Sequence, residues 1–262
     1  MKPKKILVTN DDGINAVGLM TLANALKGLG EVWVVAPDRD RSGTSHTLTL
    51  NTPVRLDKIN INGAERIYST DGTPGDCVYL TVSHLLADTT LDLVVSGINH
   101  GFNLADDITY SGTVGAALEA VLLDVPAIAI SVANANQEDL YTAKNFARDL
   151  STMILEESYK LPRGVLLNVN IPKGVTHNNY KITTVGRRSY SKDVKHNLDP
   201  KGRAYYWIGG DPLQHDSIPG SDCNTVLDEC LISVTPIHVD MTHSEARRRL
   251  ESITLPSFNC VT

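Results

Sequence analysis

The feature that most constrains this chain is a rhythm that holds for about 160 residues and then changes. Residues 5–10 (Lys-Ile-Leu-Val-Thr-Asn) form a short, nearly continuous apolar run, which suits a strand covered on both faces. Leu19, Leu22, Ala23 and Leu26 then recur at helical spacing, and the segment stops at Gly28 and Gly30. A second β-branched run at 31–36 completes a βαβ unit. The alternation continues with a helix at 76–86, a strand at 91–96, a helix at 114–123, a strand at 127–132 and a helix at 140–156. Strands alternating with helices predict an α/β fold, with a mainly parallel sheet covered by helices on both faces.

Beyond residue 160 the helices give out. Residues 166–170 still read as a strand, but 181–185, 204–208 and 230–236 are strands separated by Gly, Pro and Asp, and antiparallel hairpins fit them best. Residues 243–251, which include Arg247, Arg248 and Arg249, read as a short amphipathic helix. The expected organisation is a catalytic core over 1–160, with completing strands, hairpins and a C-terminal arm over 161–262. Trp33 reads as core, and Trp207 as a residue packed within a hairpin.

Composition narrows the function classes. The chain has 24 Lys and Arg against 30 Asp and Glu, a net charge of −6, the wrong sign for a duplex nucleic-acid binder that must neutralise phosphates. A small anionic substrate then needs a cation or local donors to offset the overall repulsion. The basic start is not followed by a signal-type apolar run, and the most apolar later stretch, 125–133, is about half a membrane span. A cytoplasmic protein with no membrane partner is expected. Cys77, Cys223, Cys230 and Cys260 show no metal-type spacing and read as free thiols.

Ligands in doubly wound sheets bind beyond the carboxyl ends of the strands, and polar loops stand at just those places. They are Asn10-Asp11-Asp12-Gly13, the 38–43 segment ending in Ser42-Gly43, Ser96-Gly97-Ile98-Asn99-His100-Gly101, and Tyr110-Ser111-Gly112-Thr113 leading into a helix. Two adjacent carboxylates with no Lys or Arg beside them repel each other unless a proton or cation intervenes. Carboxylate, hydroxyl and amide oxygens favour Mg²⁺, Mn²⁺ or Ca²⁺ over zinc. The Ser-Gly-Thr helix start supplies hydroxyls and unpaired N–H groups for an anion. A cation site beside an anion site points to phosphate chemistry. Read alone, Asp11-Asp12 is a turn and helix cap; the other three loops favour the functional reading. P-loop, dinucleotide-binding, nucleophile-elbow and zinc-protease patterns are absent.

At these loops the sequence resembles the SurE survival-protein family of metal-dependent 5′-nucleotidases. The resemblance runs through Ile6-Leu-Val-Thr-Asn-Asp-Asp-Gly13, Val35-Ala-Pro-Asp38 with Ser42-Gly43, Gly72-Thr-Pro-Gly-Asp-Cys-Val78, Ser96-Gly-Ile-Asn99 and Tyr110-Ser-Gly-Thr-Val114. It continues through Leu167-Asn-Val-Asn-Ile-Pro172, Asp199-Pro-Lys-Gly-Arg203 with Tyr206-Trp-Ile208, and the Ser233 to Thr242 stretch. It implies a Rossmann-like αβα core and one divalent cation per subunit, held by Asp11, Asp12, Ser42 and Asn99. It also implies a phosphate pocket lined by Asn103, Ser111, Gly112 and Thr113, and a C-terminal arm exchanged in a homodimer or homotetramer; Asn10 and the backbone N–H at Gly43 are further candidate phosphate-binding groups. Cys230 stands where a glycine is common in the family, and residues 211–224 resemble it less.

The expected chemistry is hydrolysis of nucleoside 5′-monophosphates by cation-activated water attacking phosphorus in line. Nucleoside 3′-monophosphates and short polyphosphate are further candidate substrates. Asp11 and Asp12 are the candidate catalytic residues, both expected to coordinate the cation, with the alternative that one of them supports the other ligands or acts as the base. Three rivals stay open at this point: an aspartyl-phosphate formed on Asp11, a nucleotide-binding regulatory module without turnover, and an interaction or structural protein whose loops are simply solvated.

Overall fold

The computed structural model describes residues 3–60, 66–133, 135–176, 178–209 and 212–253. Cys260 and the end of the expected arm lie outside them. The first half contains β1 (Lys5–Thr9), α1 (Val17–Leu26), β2 (Glu31–Pro37), β3 (Leu56–Lys58), β4 (Ile67–Thr70) and α2 (Pro74–Leu80). It continues with β5 (Leu93–His100), α3 (Gly112–Leu122), β6 (Ala127–Val132) and α4 (Gln137–Leu155). The second half contains β7 (Val165–Ile171), β8 (Tyr180–Ile182), β9 (Arg188–Tyr190), β10 (Val194–Leu198), β11 (Ala204–Ile208), β12 (Pro212–His215), β13 (Ile232–His238) and α5 (Ser244–Glu251).

The expected α/β architecture is present. Nine strands form one sheet in the order β3-β4-β2-β1-β5-β6-β7-β13-β8. The six from β4 to β7 are mutually parallel, and β3 and β13 run antiparallel to their inner neighbours. Alternation along β1 sends Ile6 and Val8 to one face and Leu7 to the other. The first face packs against Leu19, Leu22 and Leu26 of α1 and Phe146 of α4. The second packs against Val78 of α2 and Val114, Ala117 and Val121 of α3. Burying each leucine on α1 contributes about 1.5–3 kcal/mol, so the two faces fix the three layers.

Caps explain where helix boundaries differ from expectation. α4 starts before residue 140 because the Asn136 side chain accepts from the N–H groups of Glu138 and Asp139, while Asp139 accepts from the Asn136 N–H. α2 starts early behind the Thr73 and Asp76 capping box with Pro74 in the first turn, and it loosens into a wider turn at Thr81–Leu85. The second half corrects the hairpin expectation in part. β10 and β11 do pair antiparallel, as do β9 and β12. However, β13 joins the main sheet beside β7, and β8 adds parallel to β13. Ile232 and Val234 are buried there, and Pro236 lies beyond the residues that β8 pairs. Trp207 is 67% exposed on β11, and α5 buries no residue. Cys230 adopts φ +54, the left-handed region, which accounts for glycine being common at that position. No helix among the described residues is long and apolar enough to cross a membrane.

Candidate active site

Because the central strands are parallel, their carboxyl ends face one way and bring the predicted loops together. β1 delivers the first. Asn10 is fully buried, donating through Nδ2 to the Gly13 carbonyl at 3.1 Å and accepting the Gly13 N–H at 3.2 Å. Its amide is therefore spent on closing the turn rather than facing substrate. Gly13 takes φ +100, where a Cβ would lie 3.0 Å from the Arg39 carbonyl carbon. The Asp11 carbonyl accepts the Arg41 N–H at 2.7 Å, which ties the β1 and β2 loops to each other.

Asp11 is 3% exposed, and one carboxylate oxygen accepts the Thr113 hydroxyl. Gly112 permits this approach, since a Cβ there would sit 2.8 Å from Asp11 Cβ and 3.0 Å from Oδ2. Burial lifts Asp11 from the ordinary value of 3.8 to about 6, against the Thr113 hydrogen bond and with help from the Asp12 charge. Burial also lifts Asp12, with His100 pulling the other way through its ring and its N–H. Asp12 Oδ2 is buried and has no hydrogen-bond partner among the described residues. The arginines of the neighbouring loop contact other groups: Arg39 and Arg41 each lie 3.8 Å from Asp38, and Arg41 also donates to the Asp71 carbonyl.

An open cleft of about 440 Å³ lies over this pair, lined by Asp11, Ser42, Gly43, Asn99, Asn103 and Ser111 among the expected residues. Ser42 donates its hydroxyl and its N–H to Asp40 Oδ1 at 2.6 and 2.7 Å, keeping lone pairs on Oγ. Asn99 donates Nδ2 to the Gly101 carbonyl at 3.0 Å, which leaves its amide oxygen available. Ser111 lines the cleft and caps α3 by accepting the Val114 N–H at 3.1 Å, so the cleft wall meets the start of that helix. Asp12, Gly112 and Thr113 sit beside Asp11 rather than on the cleft wall.

These residues fit a hard divalent cation. The test is the orphaned Asp12 oxygen beside the buried Asp11 carboxylate, both raised in pKa and neither in an ion pair with a Lys or Arg among the described residues. Among the described residues no three His, Cys, Asp or Glu side chains converge, so an oxygen site here must be completed by hydroxyl and amide groups.

Sequence reasoning missed part of the wall. His100, Phe102, Asp107 and Tyr190 also line the cleft. Arg188 donates to Asp107 at 2.6 Å and the Tyr190 hydroxyl donates to the same carboxylate at 2.5 Å, so β9 is pinned against the cleft. Burial and Asp107 raise the Tyr190 phenol. His100 sits inside a loop already singled out, whereas Arg188 and Tyr190 lie some eighty residues from Asp107 and carry no local signal.

Residues 6–192, which include every site residue named above, match the family described as Survival protein SurE. The chain belongs to the SurE family. A Myxococcus xanthus (strain DK1622) protein named 5′-nucleotidase SurE is 52% identical over 241 residues, spanning 92% of this chain and 90% of its own. A Geobacter sulfurreducens protein of the same name is 47% identical over 250 residues, spanning 94% and 92%. The crystal structure of the SurE protein from Aquifex aeolicus superposes with a TM-score of 0.79 at 38% identity, covering 94% of this chain and 98% of that one. SurE relatives are thus similar to this chain over most of its length, and the Aquifex aeolicus protein shares its fold.

Proposed function

We propose that this chain is a 5′-nucleotidase, a phosphoric monoester hydrolase that releases phosphate from nucleoside 5′-monophosphates. One divalent cation, Mg²⁺ or Mn²⁺, is assigned to Asp11, Asp12, Ser42 and Asn99. The names of the SurE relatives support the activity. The observation that carries the reading is the buried Asp11 carboxylate beside the unpartnered Asp12 Oδ2, with Ser111 at the start of α3 lining the same cleft as Asp11, which puts a cation site next to an anion site.

A bound divalent cation supplies Lewis acidity and brings the ionisation of a water within reach of neutral pH. The chain's own residues do the rest. Thr113 holds the Asp11 carboxylate in the one orientation that Gly112 leaves room for. Backbone N–H groups at Gly43, Gly112 and Thr113, with the Ser111 hydroxyl and the Asn103 amide, take up charge on the phosphoryl oxygens. Tyr110 and Tyr190 wall the outer cleft where the nucleoside lies. Water, rather than Asp11, is assigned the attack on phosphorus, because Asp11 is given to the cation, and a cation-bound water supplies the nucleophile without a covalent intermediate. Nucleoside 3′-monophosphates and short polyphosphate offer the same terminal group and are assigned as secondary substrates. The site of action is taken to be the cytoplasm, with copies joined through the C-terminal arm into a homodimer or homotetramer.

Phosphate release from a panel of 5′- and 3′-monophosphates and short polyphosphate, with Mg²⁺ or Mn²⁺ and with Asp11→Asn as control, tests this. Release that needs the cation and is lost in the variant is expected. Tight monophosphate binding with no release under any of these cations would make the protein a regulatory nucleotide binder instead.

A further inference from the structure

The Leu-Asn-Val-Asn segment of β7 has so far been given no role. Asn168 and Asn170 are two residues apart, so both project from one face of the strand, and both are fully buried. A strand centre is a costly place for two amides, and apolar residues there would serve the sheet alone better. All of the hydrogen bonds these amides make go to one residue of the cleft. Asn168 Nδ2 donates to the Asn103 carbonyl at 2.8 Å, and Asn170 Nδ2 donates to the same oxygen at 3.1 Å. Asn170 Oδ1 accepts the Asn103 N–H at 2.8 Å. From β6, the fully buried Ser131 Oγ accepts the Asn103 side-chain Nδ2 at 2.7 Å. Register places Ser131 between Asn99 on β5 and Asn170 on β7, so this polar row starts at a cation-site residue.

Asn103 lines the cleft and is 6% exposed. It lies in a loop without regular structure, between Gly101 at φ +124 and Ala105 at φ +50. Such a loop residue would ordinarily sample several positions. Here its N–H, its carbonyl and its amide are each gripped by a buried side chain from the sheet.

We propose that Ser131, Asn168 and Asn170 are positioning residues that pre-set Asn103 for the phosphoryl group. This rests on the reading of the cleft as a phosphate site. A donor held in place before the reaction needs no reorganisation when charge develops, and small misplacements of such groups are expensive in rate.

The test uses the full chain with Mn²⁺ and compares wild type, Ser131→Ala, Asn170→Ala, Asn103→Ala and the two double variants with Asn103→Ala. Inorganic phosphate is the probe of binding, and a nucleoside 5′-monophosphate is the probe of turnover. Ser131→Ala and Asn170→Ala are each expected to weaken phosphate binding and lower kcat/KM by about tenfold. Added to Asn103→Ala, each is expected to cost less than about twofold more, because the residue they position is already gone. Mn²⁺ affinity is expected to stay at the wild-type value, which a general loosening of the sheet would not allow. Ser131→Ala removes only the side-chain bond and carries the test if Asn170→Ala does not fold. Ser131→Ala with wild-type phosphate affinity and kcat/KM, or losses that add fully to those of Asn103→Ala, overturns the inference. Phosphate binding without any turnover in wild type refutes the nucleotidase reading and leaves this inference to be decided by the binding series. No phosphate binding in wild type overturns both.

Discussion

Replacing Asp11 by asparagine should stabilise the metal-free protein while abolishing its chemistry. The Asp11 carboxyl is raised from 3.8 to about 6, chiefly because it is buried. At about 1.36 kcal/mol per pKa unit, keeping it ionised in the folded chain costs about 3 kcal/mol relative to the unfolded chain. The sign follows from linkage: an acid whose folded pKa is raised binds more protons folded than unfolded, so stability is lost as pH rises from about 4 to about 6 and the penalty is constant above that. Asparagine keeps an acceptor for the Thr113 hydroxyl and carries no charge at any pH. Metal-free Asp11→Asn is therefore expected to be more stable than wild type by about 1–3 kcal/mol at pH 7.5, a Tm increase of about 5 °C. The gain should largely vanish at pH 4. Thermal unfolding of chelator-treated protein at the two pH values reads this directly. A metal-free variant equal to or less stable than wild type at pH 7.5 would refute the claim that burial of an unpaired charge dominates this site.

Three further outcomes follow from the same geometry. Gly112→Ala puts a Cβ 2.8 Å from Asp11 Cβ, so the carboxylate or the helix start must shift. A loss of about 100-fold in kcat/KM with an unchanged far-UV spectrum is expected, and activity within twofold of wild type would contradict it. Thr113→Val keeps the volume but removes the hydrogen bond that holds the Asp11 carboxyl down, so the acid limb of the pH–rate profile should move to higher pH. Activity at neutral pH should drop by about tenfold; an acid limb that does not move argues against Thr113 acting through Asp11. Cys230→Gly relieves a left-handed backbone at φ +54 and is expected to add about 0.5 kcal/mol, which a small rise in Tm reports and a fall denies.

Much of the first half was legible because its signals are local. The run at 127–132 is β6, and the periodic Leu19, Leu22 and Leu26 are the buried face of α1. The loops after β1, β2 and β5 converge because parallel strands end on one side, a consequence of topology that the alternating pattern already implies. What escaped depends on distant partners. β3, β4 and β9 are only three or four residues long, too short to show a period. β13 looks like a hairpin strand until β7 is seen to offer an edge that needs covering. Asn10 is a candidate phosphate-binding residue in the sequence, yet its amide closes the Gly13 turn, and no sequence pattern distinguishes those fates. The grip of Asn168 and Asn170 on Asn103 spans more than sixty residues and appears only once β5, β6 and β7 lie side by side.

The most direct test of the account is phosphate release from a nucleoside 5′-monophosphate by chelator-treated protein as Mn²⁺ is added back, for wild type and for Asp12→Asn. Saturable recovery in wild type is predicted, with at most a residual rate in the variant, because the oxygen left without a partner belongs to Asp12. Full turnover without added cation, or equal recovery in Asp12→Asn, would contradict the assignment of the acidic pair to a cation that meets the phosphate.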